Sequence, residues 1–180
     1  RMGSSRAPGK VMKTIGGNPI LHYSVERTSL SELSKVVIVA TTNKPTDQII
    51  VDWCCSNSVP YYRGSEDNVL DRYYKTAREF GLDAIVRVTS DCPFVDAQIV
   101  DDVIRALSSS SADYASNHLS KRTWPHGFDV SAFTFQALER AWLEARSNRE
   151  KEHVTPYIIE HPEIFNRVGI SLEEDLSHLR

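Results

Sequence analysis

No apolar run in this chain approaches the roughly 20 residues that a membrane-spanning helix needs, and no signal peptide is visible. The sequence therefore reads as a cytoplasmic protein with no membrane partner. A basic excess is also missing. Lys and Arg number 21 against 24 Asp and Glu, for a formal net charge of −3, and the pI is near 6.1. That balance argues against a general nucleic-acid binder, so no nucleic-acid partner is expected. Cysteine is scarce, with Cys54 and Cys55 adjacent, Cys92 apart, and no zinc-like spacing. Reduced thiols in a cytoplasmic protein are the expectation. No Ser-His-Asp ordering is evident, and Cys92 beside a carboxylate has a disfavoured thiolate, so covalent catalysis has no candidate nucleophile. Internal repeats and long linkers are missing too. Residues 1–180 read as a single domain, large enough for a real core, with 41% hydrophobic and 25% charged residues, ordinary values for a soluble fold.

What is present begins at the first residue. Arg1-Met-Gly-Ser-Ser-Arg-Ala-Pro-Gly-Lys10 mixes small residues with three cations. Small residues let the backbone approach a ligand closely, and N–H groups with mobile cations make a polyphosphate cradle. It is not an ATPase P-loop. Gly3 and Gly9 are separated by five residues, and Val11 stands where a Ser or Thr would hold Mg²⁺. Two plainer readings remain for the segment alone: an expression-tag scar at Met2–Ser5 or a solvated terminus.

Hydrophobic periodicity and turn chemistry divide the rest into alternating strands and helices. Asn18-Pro19 predicts a helix start, with Ile20, Leu21, Val25 and Leu30 on its apolar face. Lys35–Ala40 reads as a buried strand. Thr46–Ser56 reads as a helix, Val59–Tyr62 as a strand, and Ser65–Phe80 as a long helix capped by Ser65 and closed by Gly81. Asp83–Val88 is a second buried strand. Asp96 caps a helix through about Leu107, and Ser108–Ser111 reads as a flexible link. Tyr114–Ser116 and Phe128–Phe133 read as strands around a polar loop, Asn117–Gly127. Phe135–Ala145 and His153–Glu160 read as helices and Phe165–Ile170 as a last strand. Such alternation predicts an α/β protein with a mostly parallel, mixed sheet and helices on both faces.

In sheets of this kind ligands sit beyond the carboxyl ends of the strands. That rule picks out Thr41-Thr42 and Thr89-Ser90-Asp91-Cys92-Pro93. A carboxylate placed like Asp91 suits Mg²⁺ beside phosphates, or else caps a turn. Gly64 stands at a helix start in Arg63-Gly64-Ser65-Glu66-Asp67. Asp71 and Arg72 form a surface charge pair, or Arg72 reaches an anion.

These motifs, taken in order, resemble the sugar cytidylyltransferases, the group that includes CMP-KDO and CMP-acylneuraminate synthetases. The opening segment is similar to that family's Arg, then Ser-x-Arg-Leu-Pro-x-Lys. Matching stretches follow at Val39–Thr42, Tyr62–Glu66, Val69–Tyr74, Arg87–Pro93, Gly127–Val130, Glu152–Ile158 and Glu174–Arg180. The full set is most similar to the spore-coat polysaccharide branch. The resemblance implies a nucleotidyltransferase sheet of the glycosyltransferase-A type, using CTP and Mg²⁺ to pass CMP to a sugar or sugar acid in cell-surface polysaccharide biosynthesis. It implies that Arg6 and Lys10 hold the triphosphate and act with Asp91, the metal ligand, as the catalytic set. Arg1, Gly3, Ser4, Ser5, Thr41, Thr42, Arg63, Gly64 and Ser65 would surround the nucleotide. Gly127, Asp129, Glu152 and His153 would face the sugar.

Three departures stand out: Ala7 where Leu is usual, Ser90 where relatives have Gly, and both ends. Measured against the family, a first core strand ahead of Arg1 and a second metal carboxylate after Arg180 are expected, so the domain reads as truncated at both ends. Residues 117–133 read as a sugar-side or dimerisation excursion of a homodimer, with Trp124 either an exposed anchor or a cover for the core. The alternatives are another NTP-sugar nucleotidyltransferase or a glycosyltransferase on the same fold, or a non-catalytic nucleotide-binding fragment.

Overall fold

The computed structural model describes residues 1–3 and 7–179. The opening segment runs through a 3-10 turn, Lys10–Met12, into a small hairpin of β1 (Thr14–Ile15) and β2 (Asn18–Pro19). Helix α1 (Ile20–Ser29) follows directly. Asn18 is thus engaged in hairpin pairing, and α1 starts without a side-chain cap. Leu21 is buried, whereas Leu30 lies past the helix and is exposed.

Strand β3 (Val39–Thr42) pairs in parallel with β4 (Tyr61–Gly64) across helix α2 (Gln48–Ser56). The sequence placed both strands too early. Only Val39–Thr42 has a ladder partner, and residues 35–38 have none. Val59 is held at the end of α2 by its N–H to the Cys54 carbonyl at 2.9 Å. Helix α3 (Val69–Glu79) is capped by Asn68, whose side chain accepts the Asp71 N–H at 2.9 Å. Ser65 caps no helix; its hydroxyl accepts the Asn68 N–H at 3.0 Å and fixes the turn ahead.

The larger sheet has the order β5 (Ala84–Arg87), β7 (Ser131–Thr134), β6 (Tyr114–Ser116), β8 (Arg167–Gly169). β7 runs antiparallel to both neighbours and β6 runs parallel to β8, so the sheet is mixed. Strand alternation sends successive side chains to opposite faces. Ile85, Tyr114 and Phe133 face one core with α3, α5 (Phe135–Glu144) and α7 (Pro156–Glu160). Val86, Ala115 and Ala132 face the other with α4 (Ala97–Ser109). The expected α/β class with helices on both faces is what the chain forms.

Several local expectations change for physical reasons. The Ser108–Ser111 run is no free link: α4 extends through Ser109, and Ser108 and Ser110 hydroxyls bond back to carbonyls one turn earlier. The helix expected at His153–Glu160 begins only at Pro156, and a helix the sequence reading did not expect precedes it. α6 (Asn148–His153) ends and α7 begins at Pro156, with Val154 between them at φ 73°. The left-handed turn at Val154 breaks the helix, and Pro156, suited to a first helical position, opens the next. Ser147 and Glu150 form a capping box at the start of α6, a Ser-x-x-Glu signal the sequence reading passed over.

β3 and β5 do not pair with each other. Between them lies a slot of about 710 Å³, lined by Ile38–Thr41 on one side and Ile85–Val88 on the other, with Leu21 and Ile50 among its lining residues.

A candidate nucleotide site at the opening segment

The opening segment closes on itself. The Gly9 N–H donates to the Met2 carbonyl at 2.9 Å, and Gly9 sits at φ 68°, a left-handed conformation that costs glycine little. Gly3 lies so near the Glu66 carboxylate that a Cβ there would collide with it. Arg1 donates to the Glu66 carbonyl at 3.3 Å and pairs with its carboxylate, which Lys44 also pairs. Ser4, Ser5 and Arg6 lie outside the described residues.

Lys10, one residue past this closed neck, forms an ion pair with Asp91 at the carboxyl end of β5. Burial works to raise the Asp91 carboxyl, but the Lys10 ammonium and the Thr89 hydroxyl outweigh it and hold it below the usual range. The structure thus brings together two of the three expected catalytic residues, 81 positions apart. Cys92 is half-buried. Burial raises its thiol, and its sulfur lies 2.9 Å from the Thr89 hydroxyl, an environment for an unreactive sulfur.

The β3 end is dominated by a residue the sequence reading gave no role. Asp47 closes the 3-10 turn Pro45–Asp47 and is 1% exposed. It accepts the Met2 N–H at 2.8 Å, the Thr41 and Thr42 hydroxyls at 2.7 Å each, and the Thr42 N–H at 3.0 Å. Burial pushes its carboxyl up, yet these four donors prevail and bring it down to about 2. Thr41 and Thr42 are therefore buried with both hydroxyls committed to Asp47. An aspartate at a helix start reads as a cap, which hid this role.

Arg63 is a brace. It donates to the Thr42 carbonyl at 3.1 Å, the Lys44 carbonyl at 2.9 Å and Gln48 Oε1 at 2.9 Å. With Gly64, Ser65 and Glu66 it walls an open cleft of about 450 Å³. Arg72 does not belong to a surface pair: it is 6% exposed, donates to the Ser65 carbonyl, and has a buried Nε with no partner among the described residues. Asp71 turns elsewhere, accepting the Trp142 indole N–H at 3.0 Å and pairing with Lys75.

The expected sugar-side residues divide. Asp129 is clasped by Arg122 through both carboxylate oxygens; burial raises its carboxyl, and Arg122 and nearby His118 bring it below its ordinary value. Gly127 turns the loop two residues before it. Glu152 and His153 are exposed at the end of α6. Trp124 is buried against Val95, Val130 and Ala132, so it packs the core and is no exposed dimer anchor. Of the two readings the sequence left for Trp124, the structure takes the core-covering one.

Among the described residues, no three acidic, histidine or cysteine side chains cluster as a metal cage. Asp91 offers one carboxylate. That suits Mg²⁺, which binds through one or two carboxylates plus phosphate oxygens and waters and not through an all-protein cage.

A family model described as cytidylyltransferase matches residues 1–179. The chain is 39% identical over 165 residues to an uncharacterized protein of Methanocaldococcus jannaschii, covering 92% of this chain and 66% of that protein. It is 34% identical over 169 residues to the spore coat polysaccharide biosynthesis protein SpsF of Bacillus subtilis, covering 92% and 69%. It thus spans about two thirds of the length of these relatives. The solved structure of a cytidylyltransferase from Leptospira borgpetersenii superposes with a TM-score of 0.93 at 32% identity, over 100% of this chain and 76% of that one. With the family model spanning residues 1–179, the chain belongs to the cytidylyltransferase family.

Proposed function

We propose that this chain carries the nucleotide half of an enzyme that transfers CMP from CTP to a sugar or sugar acid and releases pyrophosphate. The observation that carries the reading is the closure of the opening segment at Met2 and Gly9, which sets Lys10 against Asp91. With a triphosphate bound, Lys10 turns from Asp91 to the phosphates and, with Arg6, stabilises the charge that develops on the departing pyrophosphate. Asp91, freed of its lysine, would hold Mg²⁺. The ion would supply charge neutralisation at the α-phosphate. The acceptor oxygen forms a bond to the α-phosphorus as the bond from that phosphorus to the α–β bridging oxygen breaks, and the acceptor's proton leaves to solvent. No protein nucleophile takes part.

On this reading Arg1, Gly3, Ser4, Ser5 and Arg63–Ser65 surround the nucleotide, with Thr41 and Thr42 shaping its floor through Asp47. Gly127, Asp129, Glu152 and His153 lie toward the acceptor. The name of the Bacillus subtilis relative supports cell-surface polysaccharide synthesis as the setting. We also read the chain as half of a homodimer joined through residues 117–133. A particle near the chain mass of 20.3 kDa in light scattering at micromolar concentration overturns that.

The test is a thermal-shift comparison of the four NTPs with Mg²⁺, followed by pyrophosphate release against a panel of sugars and sugar acids. Binding raises apparent stability by mass action. CTP is expected to raise the melting temperature most, and a sugar acceptor to release pyrophosphate. Equal shifts from all four nucleotides sink the cytidine assignment. CTP binding without turnover on any acceptor favours a non-catalytic nucleotide-binding module.

A further inference from the structure

Asp47 stands at the N-terminus of α2, yet its side chain makes no capping bond to that helix. Its carboxylate turns the other way. Oδ1 receives the Met2 N–H, and Oδ2 receives three donors from Thr41 and Thr42. A buried carboxylate is costly unless fully hydrogen-bonded. Among the described residues no side-chain ion pair reaches it, and the Arg1 ammonium and Arg72 guanidinium act on it from further off. Four donors from two separate parts of the chain offset that cost, and they join the opening segment to the end of β3. Met2 is the decisive partner. Its N–H is fixed by Asp47, and its carbonyl is fixed by the Gly9 N–H at 2.9 Å. Both sides of one peptide neighbourhood are therefore pinned at the point where the opening segment closes, and Lys10 follows one residue later. A neutral amide in this place accepts from one side only and presents its own N–H groups to the remaining donors.

The geometry points to Asp47 as the positioning residue of the phosphate-binding segment: it anchors the neck at Met2 so that Lys10 is held over the carboxyl end of β5. The inference rests on the triphosphate reading above for its purpose and on the Met2 anchor alone for its structure. Misplacing a charged group by an ångström weakens phosphate binding and alignment far more than it weakens the fold.

The experiment uses the intact polypeptide and compares Asp47→Asn with Val51→Ala. The latter is a core change in the same helix, where Val51 is buried, outside the cluster that packs on Met2 and Val11, and it touches none of the four bonds. Hydrogen exchange of residues 1–12 is read first, without ligand. Asp47→Asn is expected to speed exchange there at least tenfold and to leave α3, α4 and α5 unchanged, while Val51→Ala leaves residues 1–12 protected. Affinity for Mg²⁺-CTP and for inorganic triphosphate is read second, and both are expected to fall at least tenfold in Asp47→Asn only. Where Asp47→Asn does not fold, Thr41→Val removes one donor to the same carboxylate and is expected to loosen residues 1–12 to a smaller degree. Unchanged exchange in residues 1–12 overturns the inference, as does a uniform rise across the fold or an equal effect of Val51→Ala. If the wild-type protein binds inorganic triphosphate but prefers another nucleotide to CTP, the cytidine reading fails and Asp47 keeps its role.

Discussion

Lys10 and Asp91 neutralise each other, partly exposed, at the candidate site, and on the proposed function a phosphate ligand would compete with Asp91 for the ammonium. Lys10→Ala and Arg6→Ala each remove a charge-assisted contact worth roughly 1.5–3 kcal/mol. Nucleotide affinity should therefore fall roughly 10- to 150-fold with little change in melting temperature, as calorimetry and thermal melts will read. Asp91→Asn keeps shape and one acceptor oxygen but not the charge a hard cation needs. Mg²⁺-dependent pyrophosphate release should vanish while the circular dichroism spectrum persists; wild-type activity at limiting Mg²⁺ contradicts this. Asp47 sets a pH dependence. Its carboxyl falls from an ordinary 3.8 to about 2 in the folded protein, so the unfolded chain binds its proton first as pH drops. Its contribution, about 2 kcal/mol, is whole above pH 4 and fades as pH falls toward 2. The Arg1 ammonium and the Arg72 guanidinium also act on Asp47, and Asp91, Asp101 and Asp129 are depressed as well, so urea melts between pH 5 and 2 should show a loss that Asp47→Asn makes shallower without abolishing it.

At the scale of single elements, helix starts are where local chemistry and tertiary context compete. α3 begins at Val69 because Asn68, not Ser65, meets the free N–H of Asp71. Asn68→Ala should cost about 1 kcal/mol in urea unfolding. If Ser65→Ala costs more, the cap has been assigned to the wrong residue. Both candidates precede the same apolar stripe, and periodicity alone gives boundaries only within a few residues. Strand limits moved for a related reason. Lys35–Ile38 is as β-prone as Val39–Thr42, but a ladder forms only where a neighbour supplies the other half of the bonds, and Tyr61–Gly64 is opposite the later residues. Asp96, Gly81 and the apolar faces of α3, α4 and α5 were legible because caps and 3.6-residue spacing are local.

The whole molecule is divided by the slot between β3 and β5. Strands on its two sides leave N–H and C=O groups without a sheet partner across it, each costing roughly 1–3 kcal/mol when buried. An extended apolar segment of about six residues, one ordinary strand, fits such a slot as a further parallel strand. Fusing one ahead of Arg1, which also lines the slot, should raise the melting temperature and protect from exchange the amides of Ile38 and Ala40 and the alternate amides of β5 that do not bond to β7. The same fusion with alternating lysines should not. No gain from the apolar fusion would mean that the slot closes by other means.

The order of the main strands and helices, the two-faced core and the small-residue, cation-bearing opening segment were set by the sequence itself, since hydrophobic period, turn residues and small-residue runs act over a few positions. The pairing of Lys10 with Asp91, the burial of Arg72 and Trp124, the bracing role of Arg63 and the anchor at Asp47 were decided by the tertiary structure. Each depends on groups from distant parts of the chain meeting where water is excluded. A carboxylate that four donors surround and a carboxylate that caps a helix are the same letter until the fold places Met2, Thr41 and Thr42 around it.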